Sequence, residues 1–255
     1  MEIMMRQSLG DYCKSLEEKY TSYRVDPGES PFLAIRIDGK KFSKFTKNFK
    51  KPYSENLANS LDKAALATAK EIGACAIYSQ SDEITFLCAA SGNEFFEYYC
   101  GGKLHKMNSI IASIFTSNFA LDYNKAYFDC RVFGIHEYAD AERIFLWRYL
   151  DCYKNGITGI AQLHYSHSEL NDKNTQDRIQ MILEAGDVLS NYSDDYLYGR
   201  FYHHDCVLVN DIYRSKMLKT CRARFDYLPP RKNAGSLNGG VPNNFDHNKR
   251  GFEPK

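Results

Sequence analysis

The sequence predicts an α+β protein: an antiparallel sheet with helices packed on it, followed by a helical to irregular C-terminal extension. Three observations carry that reading. Short apolar runs alternate with stretches whose apolar residues recur every three or four positions, in the order strand, helix, helix, strand, strand, helix, strand, helix. Two of the runs, "ACAIYS" and "ITFLCA", are separated only by "QSDE", too little chain for a crossover and therefore a hairpin. Beyond residue 155 the pattern is mostly helical to about Leu189 and strand-like only at "FYHHDCVLVND".

Element by element, "PFLAIRI" (Pro31 to Ile37) reads as a buried strand ending at Asp38, with Gly39 directly after it. Phe42, Phe45 and Phe49 then fall at i, i+3 and i+7, with Lys41, Lys44, Lys47 and Lys51 on another face, which predicts a short amphipathic helix stopped by Pro52. Ser54 and Gly73 bracket a second helix as cap and stop. The hairpin follows, with Gln80-Ser81-Asp82-Glu83 at its tip. Met107, Ile110, Ile111, Ile114, Phe115 and Phe119 form a helical stripe, "AYFDCRVFGI" alternates as a strand, and a helix from Ala139 to about Asn155 carries Ile144, Trp147 and Leu150 or Asp151 on successive turns. From Pro229 the chain is rich in Pro, Gly and Asn with too little apolar content to fold alone, which predicts a mobile loop or tail.

Composition narrows the function. With 33 basic and 32 acidic residues in 255, the formal net charge of +1 argues against a generally basic coat, so any nucleic-acid surface is local. The first residues lack a signal-peptide pattern and nowhere do about 18 apolar residues run together, so an intracellular, cytoplasmic protein without a membrane span is expected. The eight cysteines are scattered without a C-x-x-C pair and read as reduced. Cys75, Cys88 and Cys130 lie in apolar runs as small hydrophobes. His164, His167, His203 and His204 with Cys206 lack the paired spacing of a zinc site.

Chemistry concentrates around Asp38. A carboxylate at the end of a buried strand, before a glycine and a helix start, lies where ligands bind such sheets, and a helix N-terminus attracts phosphate oxygens. An anionic ligand there would repel Asp38 unless a divalent cation lay between; Mg²⁺ is held by one or two carboxylates plus substrate phosphates. The second acid is expected at the hairpin tip, where Asp82 and Glu83 are adjacent. If the two strands are neighbours, Asp38 and Asp82 face each other, and two carboxylates with two metals about 3.5–4 Å apart would clamp a phosphoryl displacement.

"RIDGKKFSKFT", "KPYSENLA", "YSQSDEITFLC", "YFDCRVFGI" and "FLWRYLDCYKNGI" occur in the order and spacing of the tRNA(His) guanylyltransferase family, and "HYSHSELNDKN" resembles a segment of its guanylyltransferase-like branch. The resemblance covers roughly residues 8 to 205. It implies a polymerase-like palm that extends RNA in the 3′-to-5′ direction. Two Mg²⁺ ions would be held by Asp38, the Gly39 carbonyl and Asp82, with Glu83 completing the catalytic acids. Asp38, Gly39, Lys40, Lys41, Phe42, Ser43, Ser81 and Asp82 would bind the nucleoside triphosphate. The RNA that the resemblance implies must also be gripped, and Arg131, Arg148, Lys154 and Arg200 are candidate phosphate contacts, with surface ion pairing as the alternative. Tyr153 and Trp147 could stack on bases, although an aromatic on an amphipathic helix is more often a core group.

The implied reaction activates a 5′-monophosphorylated tRNA with ATP to a 5′-adenylylated end. The 3′-hydroxyl of GTP or another nucleoside triphosphate then attacks with loss of AMP, and pyrophosphate is removed afterwards. A homo-oligomer, commonly a tetramer, is also implied. The expected organisation is a palm-like catalytic domain over 1–155, a mostly helical continuation of the same unit over 156–228, and the tail at 229–255. Two departures stand out. Where eukaryotic members carry a His-Ile-Asn-Asn run associated with reading the tRNA(His) anticodon, this chain has Tyr153-Lys154-Asn155-Gly156, and Ser43 replaces a histidine common in the first motif. Both favour template-dependent repair of 5′-truncated tRNA over guanylate addition to tRNA(His) proper; a non-catalytic tRNA- or nucleotide-binding palm and a cyclase-like palm enzyme that needs no RNA are the remaining alternatives.

Overall fold

The computed structural model describes residues 22–123, 125–203 and 226–228, together with residues 14, 15 and 17. The expected tail therefore lies outside the described residues, as do His204, Cys206 and most of "FYHHDCVLVND". Six strands form one sheet: β1 (Phe32–Gly39), β2 (Ala76–Gln80), β3 (Glu83–Ala89), β4 (Phe128–Ile135), β5 (Arg200–His203) and β6 (Asp226–Leu228), in the order β4-β1-β3-β2-β5-β6. Every neighbouring pair is antiparallel.

Helix α1 is Phe42–Phe45, α2 is Glu55–Ile72, α3 is Leu104–Phe119, α4 is Tyr138–His164, α5 is Thr175–Glu184 and α6 is Asp194–Tyr198. Helix α2 joins β1 to β2, and α3 joins β3 to β4, while β3 lies between β1 and β2 and β1 lies between β3 and β4. These are two interlocked split β-α-β units, the ferredoxin-like arrangement, with β5 and β6 extending it on the β2 side. Among the described residues no helix is long and apolar enough to cross a membrane.

The pleat divides the core. Leu33, Ile35, Ile37, Ile84, Phe86 and Cys88 face α2 and α3, meeting Leu61, Ala65, Met107, Ile111, Phe115 and Phe119. On the other face, Phe32, Ala34, Tyr78 and Leu87 meet Ala141, Phe145, Tyr149 and Cys152 of α4. The far half of α4 makes a satellite core with Leu170, Ile182 and Leu197, running unbroken across residue 155. Each large apolar side chain so buried contributes about 1.5–3 kcal/mol against the unfolded chain's entropy.

Two expectations are corrected. The lysine-rich helix is only the four residues of α1 followed by a 3-10 turn at Thr46–Asn48. The Thr46 hydroxyl donates to the Phe42 carbonyl at 3.1 Å, and such side-chain bonds compete with helix propagation. On α4 the buried stripe is Ala141, Phe145, Tyr149 and Cys152, and Trp147 is 55% exposed, as is much of Leu150. Phe145 and Tyr149 are the large side chains that this helix buries on the sheet, in one cluster with Ala34 and Ala76.

The second-helix reading holds: α2 begins after Ser54 and ends at Gly73, whose φ of 70° is a left-handed C-cap. Cys75, Cys88, Cys100, Cys130 and Cys152 are free thiols.

Candidate active site

Antiparallel pairing brings the end of β1 beside the start of β3 and the start of β4. Ile37 pairs with Ile84, Asp38 with Asp129, and Gly39 with Phe128. The β2–β3 turn is just Ser81 and Asp82, tighter than the four-residue tip expected, with Ser81 at a φ of 47°. That left-handed residue turns the chain so that Asp82 lies against Gly39. A Cβ on Gly39 would approach the Asp82 carboxylate to 2.6 Å and the Phe42 ring to 2.6 Å, so glycine is the residue that permits this approach. Asp38 and Asp82 thus share one end of the sheet.

Their electrostatics are unequal. Burial, helped by the neighbouring Asp38 and Glu83 charges and opposed by the backbone and Ser81 bonds, pushes the Asp82 carboxyl up to about 6. The Ser81 hydroxyl donates to it at 3.1 Å, and no cation pairs with it among the described residues. Asp38 has Arg131 at 4.0 Å, and Arg131 also sits 3.6 Å from Asp129.

Glu83 lives in different surroundings. Arg148 meets its two oxygens at 2.5 and 2.9 Å, Arg36 lies at 4.0 Å, and the Gln80 amide donates at 3.1 Å. Burial still raises its pKa, with Arg148 and Arg36 opposing. Both guanidinium groups also lie over the Trp147 ring, at 4.4 and 5.7 Å from its centroid. Glu83 therefore braces the hairpin against α4.

The proposed RNA contacts divide. Arg131 and Lys154 reach the surface. Arg148 and Arg200 do not: they are 6% and 3% exposed, and the reading of both as phosphate contacts is corrected. Arg148 is consumed by Glu83 and by Asp151 at 2.7 Å. Arg200 forms a buried ion pair with Asp62 through two nitrogens, and it donates to Ser79 at 3.1 Å and Tyr53 at 3.0 Å. Tyr202 donates to the same carboxylate at 2.8 Å. Burial opposes the Arg200 charge, yet Asp62 holds the guanidinium above its ordinary pKa. Unpaired burial of any one of these groups would be far less favourable.

Around the first motif, Phe42 is buried against Phe45 and Phe128, with ring centroids 5.0 and 5.6 Å away. Its side chain is a core group. The Lys40 N–H donates to the Tyr127 carbonyl at 2.8 Å, while Lys40, Lys41, Ser43 and Ser81 are exposed. Tyr153 stacks on Tyr198 at 5.6 Å and 6°, which makes it a packing group, the commoner role of an aromatic on such a helix.

Sequence reasoning missed Arg36, Asp62 and Asp129. The alternation of "YFDCRVFGI" signals that Asp129 and Arg131 share a face, but only the sheet order places that face beside Asp38. Asp62 lies on an apolar helix face with no local mark of its partner 138 residues away.

Two carboxylates at the same sheet end as the Gly39 carbonyl, one of them desolvated and lacking a cation, form a hard-oxygen donor set suited to Mg²⁺. Among the described residues no group of three or more His, Cys, Asp or Glu side chains is placed to hold a metal unaided. The rest of a coordination shell would come from substrate phosphates and water, as is usual for Mg²⁺.

Comparison with known proteins agrees with this architecture. A bacterial tRNA(His) guanylyltransferase-like protein in complex with ATP superposes with a TM-score of 0.72 at 25% identity, over 87% of this chain and 91% of that one. An uncharacterized protein, R259, of Acanthamoeba polyphaga mimivirus is 26% identical over 216 residues, covering 73% of each chain. A probable tRNA(His) guanylyltransferase of Drosophila melanogaster is 31% identical over 158 residues, covering 56% of this chain and 54% of the relative. The chain thus spans about half the length of that guanylyltransferase relative. The tRNAHis guanylyltransferase family model matches residues 10–138, a stretch that contains β1, the β2–β3 hairpin and β4, and the chain belongs to that family of nucleotidyltransferases.

Proposed function

We propose that this protein is a template-dependent 3′-to-5′ nucleotidyltransferase that adds nucleotides to the 5′ end of truncated tRNA after ATP-dependent adenylylation. The observation that carries the proposal is the convergence of Asp38 and Asp82 at Gly39, where a desolvated acid lacks a cation among the described residues. Asp38, Asp82 and the Gly39 carbonyl would hold a pair of Mg²⁺ ions, which supply charge neutralisation and activation of an attacking oxygen. The chain's own groups orient the reactants. Lys40 and Lys41 stand exposed beside the acids to meet a triphosphate, with Ser43 and Ser81 as hydroxyl partners. Arg131, shared between Asp38 and Asp129, offers a cation to a 5′ phosphate. Glu83 fixes the hairpin through Arg148. The ATP-bound structural relative supports a nucleotide ligand, and an oligomer, commonly a tetramer in the family, belongs to the same reading.

The preference for repair rests on residues 153–156. Reading an anticodon needs free donors and acceptors, at about 1–3 kcal/mol per good base contact. Tyr153 is stacked, the Asn155 amide donates to Asp151 at 3.2 Å, and Gly156 is buried with its carbonyl accepting from Tyr196 at 3.0 Å. Lys154 and Asn155 both reach the surface, but the Asn155 amide N–H is engaged by Asp151, and lysine meets phosphate more readily than a base edge. The test compares kcat/KM for 5′-truncated tRNAs of several identities with full-length tRNA(His), with and without an anticodon swap. Templated filling of truncated ends regardless of anticodon is expected. A strong preference for full-length tRNA(His), lost on changing its anticodon, would replace repair with guanylate addition. Binding without transfer in Mg²⁺ would make the protein a non-catalytic palm.

A further inference from the structure

The twelve residues from Lys40 to Lys51 hold six lysines and no acid. Lys40, Lys41, Lys44, Lys47, Lys50 and Lys51 are all exposed. Among the described residues none of them pairs with a carboxylate, whereas Lys63, Arg131, Arg143, Arg148 and Arg200 each sit beside one. In a chain of net charge +1, this twelve-residue stretch gathers six lysines without a carboxylate partner among the described residues.

The segment is also fixed in place. Phe45 packs on Phe119 at 6.0 Å and Phe49 on Tyr123 at 5.4 Å, so the apolar side is anchored in the core and the lysines project from a set scaffold. One end of the segment is at Gly39 and the acid pair. There the Lys40 N–H donates to the backbone carbonyl of Tyr127, a residue that is 65% exposed.

A nucleoside triphosphate presents its charge at one point and engages one end of such a segment. A polyanion with regularly repeated phosphates engages all of it. An anionic membrane surface would call for outward apolar groups, and here the phenylalanines turn inward.

We infer that residues 40–51 form the track for the phosphodiester backbone of an RNA strand leading to Asp38 and Asp82, with Tyr127 as the platform on which an unpaired base stacks at the entrance. The inference builds on the nucleotide-transfer reading above.

The test uses the full chain and a 5′-monophosphorylated stem-loop RNA with a single-stranded 3′ end. Lys44, Lys47, Lys50 and Lys51 are changed together to Gln, leaving Lys40 and Lys41 intact. The slope of log affinity against log salt should fall by about 3, at roughly 0.7–0.9 per lost phosphate contact, and affinity should weaken about tenfold or more. Tyr127→Ala should weaken binding about tenfold with the slope unchanged, because stacking releases no counterions. ATP affinity should stay at the wild-type level in both variants.

An unchanged slope in the lysine variant, an equal loss of ATP affinity, no RNA binding by wild type, or tighter wild-type binding to phosphatidylserine vesicles would overturn the inference. RNA binding through these lysines without nucleotide transfer would sustain the track and sink the transfer reading. Transfer with an unchanged slope would do the reverse.

Discussion

Asp62 and Asp82 are both aspartates withdrawn from water, and the fold treats them in opposite ways. Asp62 is buried in α2, but Arg200 grips both of its oxygens and Tyr202 donates to one. Asp82 sits in a two-residue turn with a serine hydroxyl for company and other carboxylates nearby, and its pKa rises to about 6. A buried charge with its partner supplied ties elements together: here α2, β2 and β5. A partly buried charge without one is destabilising unless a ligand brings the counter-charge. That difference separates a structural acid from a functional one, and Glu83, between Arg148 and Arg36, falls on the structural side although it is adjacent to Asp82 in sequence.

The strongest way to break the contrast is to remove the functional acids. Asp38→Asn and Asp82→Asn should each lower nucleotide transfer on the order of 10⁴-fold, more than about 5 kcal/mol of transition-state stabilisation, while the circular dichroism spectrum stays native. Near wild-type turnover in either would remove Asp38 and Asp82 from the chemistry.

Next comes the buried pair. Arg200→Ala should destabilise by about 3–5 kcal/mol, because Asp62 is then buried unpaired, and the joint replacement Asp62→Leu with Arg200→Met should lose far less. Denaturant unfolding of the single and double variants measures this. Equal losses would mean that the pair is not the source of the stability.

Glu83→Gln sharpens the middle case. It keeps the shape but removes the charge facing Arg148, so stability should drop by about 1.5–3 kcal/mol, with a smaller loss of activity than either aspartate variant shows. An activity loss as large as that of Asp82→Asn would move Glu83 into the catalytic set.

The smallest effect has the opposite sign. The folded pKa of Asp82 lies above the ordinary aspartate value of 3.8, so folding takes up a proton between about pH 4 and pH 6. The acid's favourable contribution is therefore complete below about pH 4 and is lost as pH rises through 6. Asp82→Asn should stabilise the metal-free protein by about 2 kcal/mol above pH 6, with the gain fading by pH 4. A pH-independent change in Tm would show that Asp82 does not carry this strain.

Much of this was legible from residue order. The strand ending at Asp38, the hairpin carrying Asp82, the α2 helix between Ser54 and Gly73 and the stripe of α3 are local patterns, set by a period of 2 or 3.6 and by turn residues, and they reappear as elements. The motifs around Asp38 and Asp82 marked the acids for the same reason: a strand end and a tight turn are short-range features. Arg148 and Arg200 were misread because a charged residue on a helix or short strand looks the same in sequence whether it faces water or a partner 65 or 138 residues away. Only strand order placed Asp129 opposite Asp38, closed Arg200 onto Asp62 and rotated Trp147 outward. Those outcomes depend on which surfaces meet after collapse, a long-range packing decision that periodicity does not encode.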